Sequence, residues 1–440
     1  YVKQVWDGRY TGIRMCNQLL ENIDRVPDLD PELKKRYIGE AKVLRAYSYY
    51  ELYTKFGDIP YTTKVLSIKE SMSIARTAKA TVIANVLADL DEVINGNYLP
   101  TSYDADNKGR ITRWAAMAIK AKIYLFEGNW TQVKNITSTI MTEGGFKLFG
   151  SYAGLFEIAN EYNSEVILDA QYRPTSREHQ MMYVFLPPTL GGYSQLSPLQ
   201  ELVDSYIMLD GKTIKETGTS FDESHPYANR DPRLKATVMY TGNSYTLADG
   251  TEVVINCEKG EGKDGYGVGS DCSATGYYIK KYWDNTYRAT LYSGLNPILI
   301  RYADILLMNA EALAELGELD KTAWDATIKP IRDRAGFTLA SALEFPEGAS
   351  KDKLIEIVRN ERRSELALEG HRHKDIIRWR IADNVLNGWC HGLKTNDVVG
   401  TDDGYVRVEN RTFNANKHYL WPIPQAERDL NGNLEQNPNW

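Results

Sequence analysis

Apolar residues recur at helical spacing along much of the chain, and in the charged stretch 354–380 the stripe also contains carboxylates. The positions that share one helical face there are Leu354, Val358, Glu361, Glu365 and Leu368. A carboxylate that faces a protein core is costly unless a cation pairs with it. Two interpretations are open: a buried ion network that fixes how this helix packs, or a catalytic pair formed by Glu361 and Glu365.

Arginines of the same stretch favour the ion network. The candidate partners are Arg359, Arg362, Arg363, Arg372, Arg378 and Arg380. So many cations would keep both acids ionised, whereas a catalytic pair needs two carboxyl groups whose pKa values are far apart. We therefore predict a structural role for Glu361 and Glu365, and glycoside hydrolysis is the alternative.

The same periodicity predicts helices in the two outer parts of the chain. They are expected at 2–25, 31–56, 78–95, 112–128, 130–141, 297–317, 320–335 and in the 354–380 stretch. Asp30 and Pro31 provide one of these helices with an N-cap and with a proline at its first position. After Arg380 the pattern predicts loops.

The middle of the chain, 144–296, has a different character. It is rich in Gly, Pro, Tyr and Ser, and it shows no sustained helical period. Short strands are expected at 165–170 and 236–240. We therefore expect a loop-rich insertion that the flanking helices hold.

Two helical segments repeat one another across this insertion. The segment AKIYLFEGNW (121–130) aligns with AEALAELGEL (310–319), so that a small residue and a turn glycine coincide. A small residue in a first helix, a glycine at the turn and a returning second helix are typical of the tetratricopeptide repeat. Such helix pairs bury their apolar faces by stacking on one another.

Composition excludes several classes of protein. The 440 residues carry a formal net charge of −7, which argues against nucleic acid as the main partner. No apolar run reaches the roughly 18 residues that a membrane span requires. The cysteines form no zinc pattern, but Cys257 and Cys272 bracket a glycine-rich loop and could form a disulfide. That loop follows no strand and opens no helix, so no dinucleotide cofactor is predicted.

Histidines and serines give no further catalytic or metal site. His371 and His373 are two positions apart, so on a continuous helix they would point to different faces and bind no metal together. Neither HExxH nor GxSxG occurs. Trp421 and Trp440, in the closing motifs, are expected to be packing residues.

A set of motifs runs in order along nearly the whole chain. They are WDGRYTGIRMCN (6–17), EAKVLRAYSYYELYTKFGDIP (40–60), the helix 113–128, LQELVDSYIMLDG (199–211), RYADILLMNAEALAELG (301–317), NERRSELALEGHRHKDIIR (360–378), LWPIP (420–424) and NPNW (437–440). In this order they resemble the SusD/RagB family, outer-membrane nutrient-binding lipoproteins of Bacteroidetes.

The resemblance implies the fold class: mostly α, with about four tetratricopeptide-like helix pairs that form a scaffold for a variable, loop-rich half with short strands. It implies a single SusD-like domain over 1–440. Helical repeats would occupy 1–143, the variable insertion 144–296, and further repeats with a C-terminal tail 297–440.

The resemblance also implies a function without catalysis and without a cofactor or metal. Such a protein captures glycans at the cell surface and passes them to a TonB-dependent, SusC-like transporter of the outer membrane. The lipid anchor is implied by the resemblance alone, since the family's signal and lipidated cysteine are not in this chain. The alternative is a protein-interaction scaffold for the uptake of peptides or other nutrients.

A glycan site needs exposed aromatic rings with polar groups beside them, and the chain has 29 tyrosines against 10 phenylalanines. The first candidate group consists of Tyr277, Tyr278, Tyr282, Trp283 and Tyr287, with Asp284, Asn285 and Arg288 among them. The alternative is a β-hairpin that packs these rings inward.

Two other places are candidates. One is Tyr183 with Tyr193, beside Gly191, Gly192 and Gln195; the alternative is that these rings anchor a loop. The other is Trp6 with Asp7 near the start of the first helix, and the alternative there is packing in the helical core.

Overall fold

The computed structural model describes residues 1–286, 291–395 and 402–440. The described residues are mostly helical. The helices are α1 (Val2–Asn22), α2 (Pro31–Phe56), α3 (Ile68–Ser71), α4 (Lys79–Asn95), α5 (Arg113–Phe126), α6 (Trp130–Glu143), α7 (Met181–Phe185), α8 (Gln200–Ser205), α9 (Pro232–Thr237), α10 (Tyr302–Leu316), α11 (Lys321–Ala335), α12 (Ala340–Leu343), α13 (Lys351–Glu365), α14 (Arg372–Arg378), α15 (Ala382–Val385) and α16 (Gln425–Leu430).

Short strands form two-stranded antiparallel sheets. The strands are β1 (Val166–Asp169), β2 (Val238–Met239), β3 (Ser244–Thr246), β4 (Glu252–Val254), β5 (Tyr278–Ile279), β6 (Ile298–Arg301), β7 (Gly388–Lys394) and β8 (Tyr405–Arg411). The pairs are β1 with β6, β2 with β5, β3 with β4, and β7 with β8. The predicted fold class, a mostly helical scaffold with short strands, is confirmed.

The N-terminal helices match the prediction closely. Helix α2 spans 31–56, and the side chain of Asp30 accepts a hydrogen bond from the Leu33 amide at 2.8 Å. Its end is fixed by Gly57, whose φ of +72° lies in the region that favours glycine. Helix α1 ends three residues before the predicted boundary and continues as a single 3₁₀ turn, Ile23–Arg25.

Two other predicted helices differ more strongly from the structure. The segment predicted as a helix from 297 begins instead as β6, because its β-branched residues pair with β1, and α10 begins at Tyr302. The 354–380 stretch is not one helix: α13 ends at Glu365, Leu368 has a φ of +63°, and a new helix begins at Arg372. The predicted stripe therefore holds as far as Glu365, and Leu368 is exposed.

Regular structure also occurs after Arg380, where loops were predicted. Strands β7 and β8 form a hairpin there, and α15 and α16 are further helices. Alternation in YVRVENR (405–411) is the strand signal that helical periodicity does not detect.

The chain folds into two compact units. Unit 1 comprises 1–144, 373–386 and 413–440, and unit 2 comprises 145–372 and 387–412. The sequence-based division into helical repeats, insertion and tail remains a prediction.

In unit 1, α1 packs on α2, α2 on α4, and α5 on α6. The core contains aromatic side chains of α2, and small alanines of α5 allow close approach of its neighbours. The closing motifs attach to the end of α2: the Trp421 amide donates to the Lys55 carbonyl at 2.7 Å, and the side chain of Asn437 donates to the Phe56 carbonyl at 2.9 Å.

In unit 2, α10 packs on α11 and α13. A separate core lies beneath the irregular segments and is rich in buried tyrosines, among them Tyr206, Tyr245, Tyr277 and Tyr278. All four cysteines of the chain are free, so Cys257 and Cys272 form no disulfide. Within the described residues, no helix combines the length and apolar character needed to cross a membrane.

Candidate functional site

Tyr183 and Tyr193 form a stacked pair on a short folded loop of unit 2. Their ring centroids are 4.3 Å apart and their planes differ by 29°. Tyr193 is 40% exposed, and Tyr183 is half-buried beneath it. The pair therefore presents an aromatic surface to solvent, as the second sequence candidate requires.

Backbone hydrogen bonds fold the loop back on α7. The Tyr193 amide donates to the Tyr183 carbonyl at 3.0 Å, and the Leu196 amide donates to the Val184 carbonyl at 2.8 Å. Gly192 passes so close to the Leu186 carbonyl that a Cβ would lie 2.1 Å from its oxygen. Only glycine fits there, which explains the glycine beside the tyrosine pair.

A buried aspartate fixes the same loop from the glycine-rich segment. The two carboxylate oxygens of Asp264 accept from the Thr189 amide at 2.8 Å and from the Thr189 hydroxyl at 2.6 Å. The Tyr278 hydroxyl donates to the Asp264 carbonyl at 2.5 Å. Sequence reasoning did not identify Asp264, because its partner Thr189 lies 75 residues away along the chain.

Four of the six described residues in the first candidate group are buried. Tyr277 and Tyr278 lie in the core, and the Tyr282 ring packs on Phe156 at 4.8 Å between centroids. Asp284 is buried as well, and its carboxylate accepts hydrogen bonds from Thr286 and Ser293. These side chains pack inward, as the alternative interpretation expected, but β5 pairs with the distant strand β2 and not with a neighbouring strand of a hairpin.

Trp283 and Asn285 of this group are half-buried. The Trp283 indole N–H donates to the Thr246 carbonyl at 2.8 Å, and the ring packs edge-on against Tyr245 at 5.1 Å. One edge of Trp283 is thus committed to the protein. Tyr287 and Arg288 lie outside the described residues.

Trp6 belongs to the core of unit 1. It is buried and packs on Tyr10 and Phe56, with centroids 4.8 and 5.0 Å apart. Asp7 pairs instead with Lys3 at 2.8 Å. This ring therefore has no surface on which a sugar could stack.

An exposed tryptophan that sequence reasoning missed lies on β7. Trp389 is 43% exposed, and the Arg407 guanidinium lies 5.2 Å from its ring centroid. On the same strand, the Nδ1 of His391 lies 2.8 Å from a carboxylate oxygen of Glu201, and the His391 backbone amide donates to the same oxygen at 3.1 Å. The residues of β7 show no regular alternation of buried and exposed positions, so the sequence carried no signal for the exposure of Trp389.

The acidic stripe of α13 forms a buried ion network in unit 2, as predicted. Glu365 pairs with Arg301 at 2.6 Å, with Arg233 at 2.8 Å and with Arg334. Glu361 pairs with Arg233 and Arg332, each at 2.7 Å. Five carboxylates and five cations meet in the described part of this network: Asp231, Glu165, Glu361, Glu365 and Glu369 with Arg233, Arg301, Arg332, Arg334 and Lys281.

The partners are not the arginines that the sequence suggested. Arg362 pairs with Asp304 at 2.6 Å, and Arg378 pairs with Asp375 at 2.9 Å. Arg362 lies close to the face that carries Glu365, but Asp304 of α10 takes its charge instead.

The network keeps its acids ionised. Burial alone would raise the pKa of Glu365, but the surrounding arginines, Arg334 first among them, hold it well below its usual range. The pKa of Glu361 is lowered in the same way, since Arg233 and Arg332 outweigh its burial. Neither group can donate a proton near neutral pH, and neither is exposed to a saccharide.

The exposed rings of unit 2 therefore offer stacking surfaces for a ligand, whereas the carboxylates of α13 offer no acid–base pair for catalysis. The described residues contain no group of three or more side chains that could hold a metal ion. The stacked pair Tyr183–Tyr193 is the best-formed candidate surface, because the Tyr193 ring is exposed and hydrogen bonds fix its loop on both sides.

Comparison with known proteins gives consistent matches over the chain. A model described as the SusD family matches 155–440, and a model described as starch-binding associating with outer membrane matches 1–125. The SusD-like protein P25 of Formosa agariphila is 28% identical over 409 residues, which are 88% of this chain and 71% of that protein.

Solved structures agree in fold. A crystal structure of a SusD-like carbohydrate binding protein from Bacteroides fragilis has a TM-score of 0.88 and 29% identity, over 99% of this chain and 86% of the other. A second SusD-like protein from Bacteroides fragilis has a TM-score of 0.85 and 28% identity, over 100% of this chain and 86% of the other.

Proposed function

Because the chain belongs to the SusD family, whose model matches 155–440, we propose that it binds glycans without catalysis and stacks a sugar ring on Tyr193. The observation that carries this proposal is the exposed ring of Tyr193, which stacks on the half-buried ring of Tyr183. A sugar presents apolar C–H faces between its hydroxyl groups, so an exposed ring with polar groups beside it is complementary to it. Gln195, which is exposed on the same loop, supplies such a polar group.

The fixed loop supports this assignment. Tyr193 is held by the fold-back onto α7, and Asp264 fixes the Pro188–Leu190 turn that precedes it. A ring that is already positioned loses little conformational entropy when a ligand binds. The pair therefore suits an extended ligand that makes only weak contacts with each ring, such as a polysaccharide chain.

The proposals for the partner and the location rest on the family and not on the site. We propose that the protein is held by a lipid anchor at the surface of the outer membrane and passes its ligand to a SusC-like, TonB-dependent transporter. The description of the model that matches 1–125, starch-binding associating with outer membrane, supports this location. Co-purification with such a transporter from outer membranes is the direct test.

Affinity electrophoresis across a panel of polysaccharides, followed by calorimetry with oligosaccharides of any that bind, tests the ligand class. We expect at least one glycan to retard the protein, and Tyr193→Ala to weaken binding by about 1–2 kcal/mol, or roughly 5- to 30-fold. Tyr1→Ala is the matched control, because it removes an exposed tyrosine ring of unit 1.

Three outcomes would contradict the proposal in different ways. Absence of binding across the panel, with transporter co-purification intact, would favour the scaffold for other nutrients. Binding that is unchanged in Tyr193→Ala but lost in Trp389→Ala would move the site to the β7–β8 hairpin. Release of free sugar that Glu361→Gln abolishes would establish a hydrolase.

A further inference from the structure

The β7–β8 hairpin of unit 2 carries a tryptophan that the proposed stacking site at Tyr193 does not use. Trp389 is 43% exposed. The indole N–H groups of Trp283 and Trp324 each donate to a backbone carbonyl at 2.8 Å. By contrast, the indole N–H of Trp389 has no hydrogen-bond partner among the described residues. Trp389 therefore offers a ligand both an apolar ring and a hydrogen-bond donor.

A β-bulge places Arg407 on the same face of the hairpin as Trp389. The register between the two strands shifts by one residue after Cys390. His391 therefore lies opposite Arg407 and not opposite Val408. Because successive residues of a strand point to opposite faces, the extra residue moves Arg407 from the other face of the hairpin to the face of Trp389. The guanidinium carbon accordingly lies 5.2 Å from the centroid of the Trp389 ring.

Asp402 holds the Arg407 side chain in this position. One of its carboxylate oxygens accepts from Nη2 of Arg407 at 3.1 Å, and the other accepts from Nε. The hydrogen bond from Arg407 is the main reason why the pKa of Asp402 is lowered. Nε2 of His391 lies 3.5 Å from the same carboxylate. A cation that is fixed in this way attracts the face of an aromatic ring, so Arg407 positions Trp389 before a ligand binds.

Asn410 places an amide beside Trp389 from the neighbouring strand. The two residues lie directly opposite one another in the antiparallel pair. Side chains at such positions share a face, with Cβ atoms about 4.5–5.5 Å apart. Asn410 is exposed, and its side-chain amide has no hydrogen-bond partner among the described residues. An amide both donates and accepts, so it can bind to neighbouring hydroxyl groups of one ligand.

The chemistry of this face matches a sugar better than an apolar partner. A sugar presents C–H faces to a ring and hydroxyl groups to the donors and acceptors beside it. An apolar partner that covered Trp389 would also cover the indole N–H and the Asn410 amide, and it would leave both without hydrogen bonds. The ring and the polar groups therefore favour the same class of ligand.

We propose that the face of the hairpin formed by Trp389 and Asn410, the hairpin surface, is a second sugar-binding surface of unit 2. Trp389 stacks a sugar ring, the indole N–H and the Asn410 amide bind its hydroxyl groups, and Arg407 positions the tryptophan. This inference rests on the proposed binding of glycans but not on Tyr193. The hairpin surface and the Tyr193 surface bind sugar units of the same polysaccharide.

Equilibrium dialysis counts the two surfaces. The probe is a trisaccharide prepared from a polysaccharide that retards the wild-type protein in affinity electrophoresis. We expect two molecules bound per wild-type chain at saturation, one per chain of Trp389→Ala, one per chain of Tyr193→Ala, and none in the double variant. Trp440→Ala is the matched control and should still bind two, because Trp440 is also 43% exposed but donates its N–H to the Leu420 carbonyl at 3.0 Å.

Two milder substitutions test the polar part of the hairpin surface in a chain that already carries Tyr193→Ala, where only this surface remains. Trp389→Phe keeps a ring but removes the N–H, and Asn410→Ala removes the amide. Each should weaken binding of the trisaccharide by about fivefold, since each removes hydrogen bonds to the ligand. They also keep the inference testable if Trp389→Ala fails to fold.

The outcomes distinguish this inference from the site at Tyr193. Two molecules bound per chain of Trp389→Ala would overturn the hairpin surface, as would unchanged affinity in both Trp389→Phe and Asn410→Ala. A single site that is lost in Tyr193→Ala and kept in Trp389→Ala would also overturn it and leave the proposed function intact. A single site that is lost in Trp389→Ala and kept in Tyr193→Ala would support the hairpin surface and exclude Tyr193. If no polysaccharide retards the wild-type protein, both are wrong.

Discussion

The acidic face of α13 and the loop that carries Tyr193 belong to the same unit and treat their functional groups in opposite ways. Glu365 is fully buried, and both of its carboxylate oxygens are occupied by arginines. Tyr193 stacks on Tyr183 and remains 40% exposed to solvent. The carboxylate of Glu365 thus has all its partners within the protein, whereas the ring of Tyr193 keeps part of its surface free for a ligand.

This difference separates a structural role from a binding role. A buried charge that has its partners can stabilise a specific packing arrangement but has no capacity left for a ligand. An exposed ring contributes little to the stability of the fold, so its surface remains available for contact with a ligand. Substitutions in the two regions should therefore affect different measurements.

The largest expected effect is a loss in the free energy of unfolding when Glu365 is replaced by alanine (Glu365→Ala). Removing this carboxylate leaves Arg233, Arg301 and Arg334 without one of their partners in a buried setting, which should cost about 3–5 kcal/mol. Chemical denaturation measures the loss. Glu356→Ala is the control, because Glu356 is exposed on the same helix and should change stability by less than about 0.5 kcal/mol.

A loss below about 1 kcal/mol in Glu365→Ala would contradict the structural role, since breaking a buried pair should cost several times that. Ligand affinity of the folded fraction should not change. A loss of affinity without a loss of stability would erase the distinction between the two regions.

The sequence predicted burial of Glu361 and Glu365 because helical period alone decides which face a residue occupies. It did not predict their partners. Arg301 and Arg233 lie 64 and 132 residues from Glu365, and a single chain gives no local signal for pairing over such distances. The helix boundary at Glu365 was missed for a related reason, since Leu368 continues the apolar spacing although the backbone turns there.

The aromatic candidates show the corresponding limit for the site. Tyr278 and Tyr193 are the same residue type in the same irregular half, but one is buried and the other exposed. Short strands with rings on both faces have no polar face that would reveal which side is buried. The Gly191–Gly192 pair was the more informative signal, because it marked a sharp turn that positions Tyr193 at the surface.

Lowering the pH should also reduce the free energy of unfolding, but by less than the Glu365→Ala substitution does. Glu361, Glu365 and Glu369 all have a pKa lowered below the ordinary 4.5, because arginines and Lys281 outweigh their burial. The unfolded chain therefore takes up protons first as the pH falls. Stability from these groups is present above about pH 4.5 and is lost progressively as the pH falls from there through their lowered pKa values.

Unfolding free energies measured between pH 7 and pH 3 test this sign. The slope below pH 4.5 should be shallower in Glu365→Gln, which keeps the shape of the side chain but cannot take up the proton. An equal slope in Glu365→Gln and wild type would assign the acid sensitivity to other carboxylates and would weaken the contrast between the two regions.

Trp283 is half-buried, so its exposure is intermediate between that of Glu365 and that of Tyr193. Its substitution tests which of the two roles it has. The sequence alone predicts that Trp283→Ala weakens glycan binding with little loss of stability. Its hydrogen bond to Thr246 and its packing on Tyr245 instead predict a loss of about 1–2 kcal/mol. Thermal unfolding of Trp283→Ala and Trp283→Phe distinguishes the contribution of the ring from that of the indole N–H. An unchanged melting temperature in both variants would favour a role for Trp283 in ligand binding.

The smallest effect on stability is expected at Tyr193. Tyr193→Ala removes one stacked ring contact with Tyr183 at the surface, so the free energy of unfolding should fall by only about 0.5–1.5 kcal/mol. The backbone bonds between the loop and α7 do not depend on the side chain and should hold the loop in place. A loss as large as that of Glu365→Ala would show that the ring is an anchor of the loop. A small loss together with weakened glycan binding would be the reverse of the result at Glu365, because the stability of the fold and the affinity for the ligand would then depend on different side chains of the same unit.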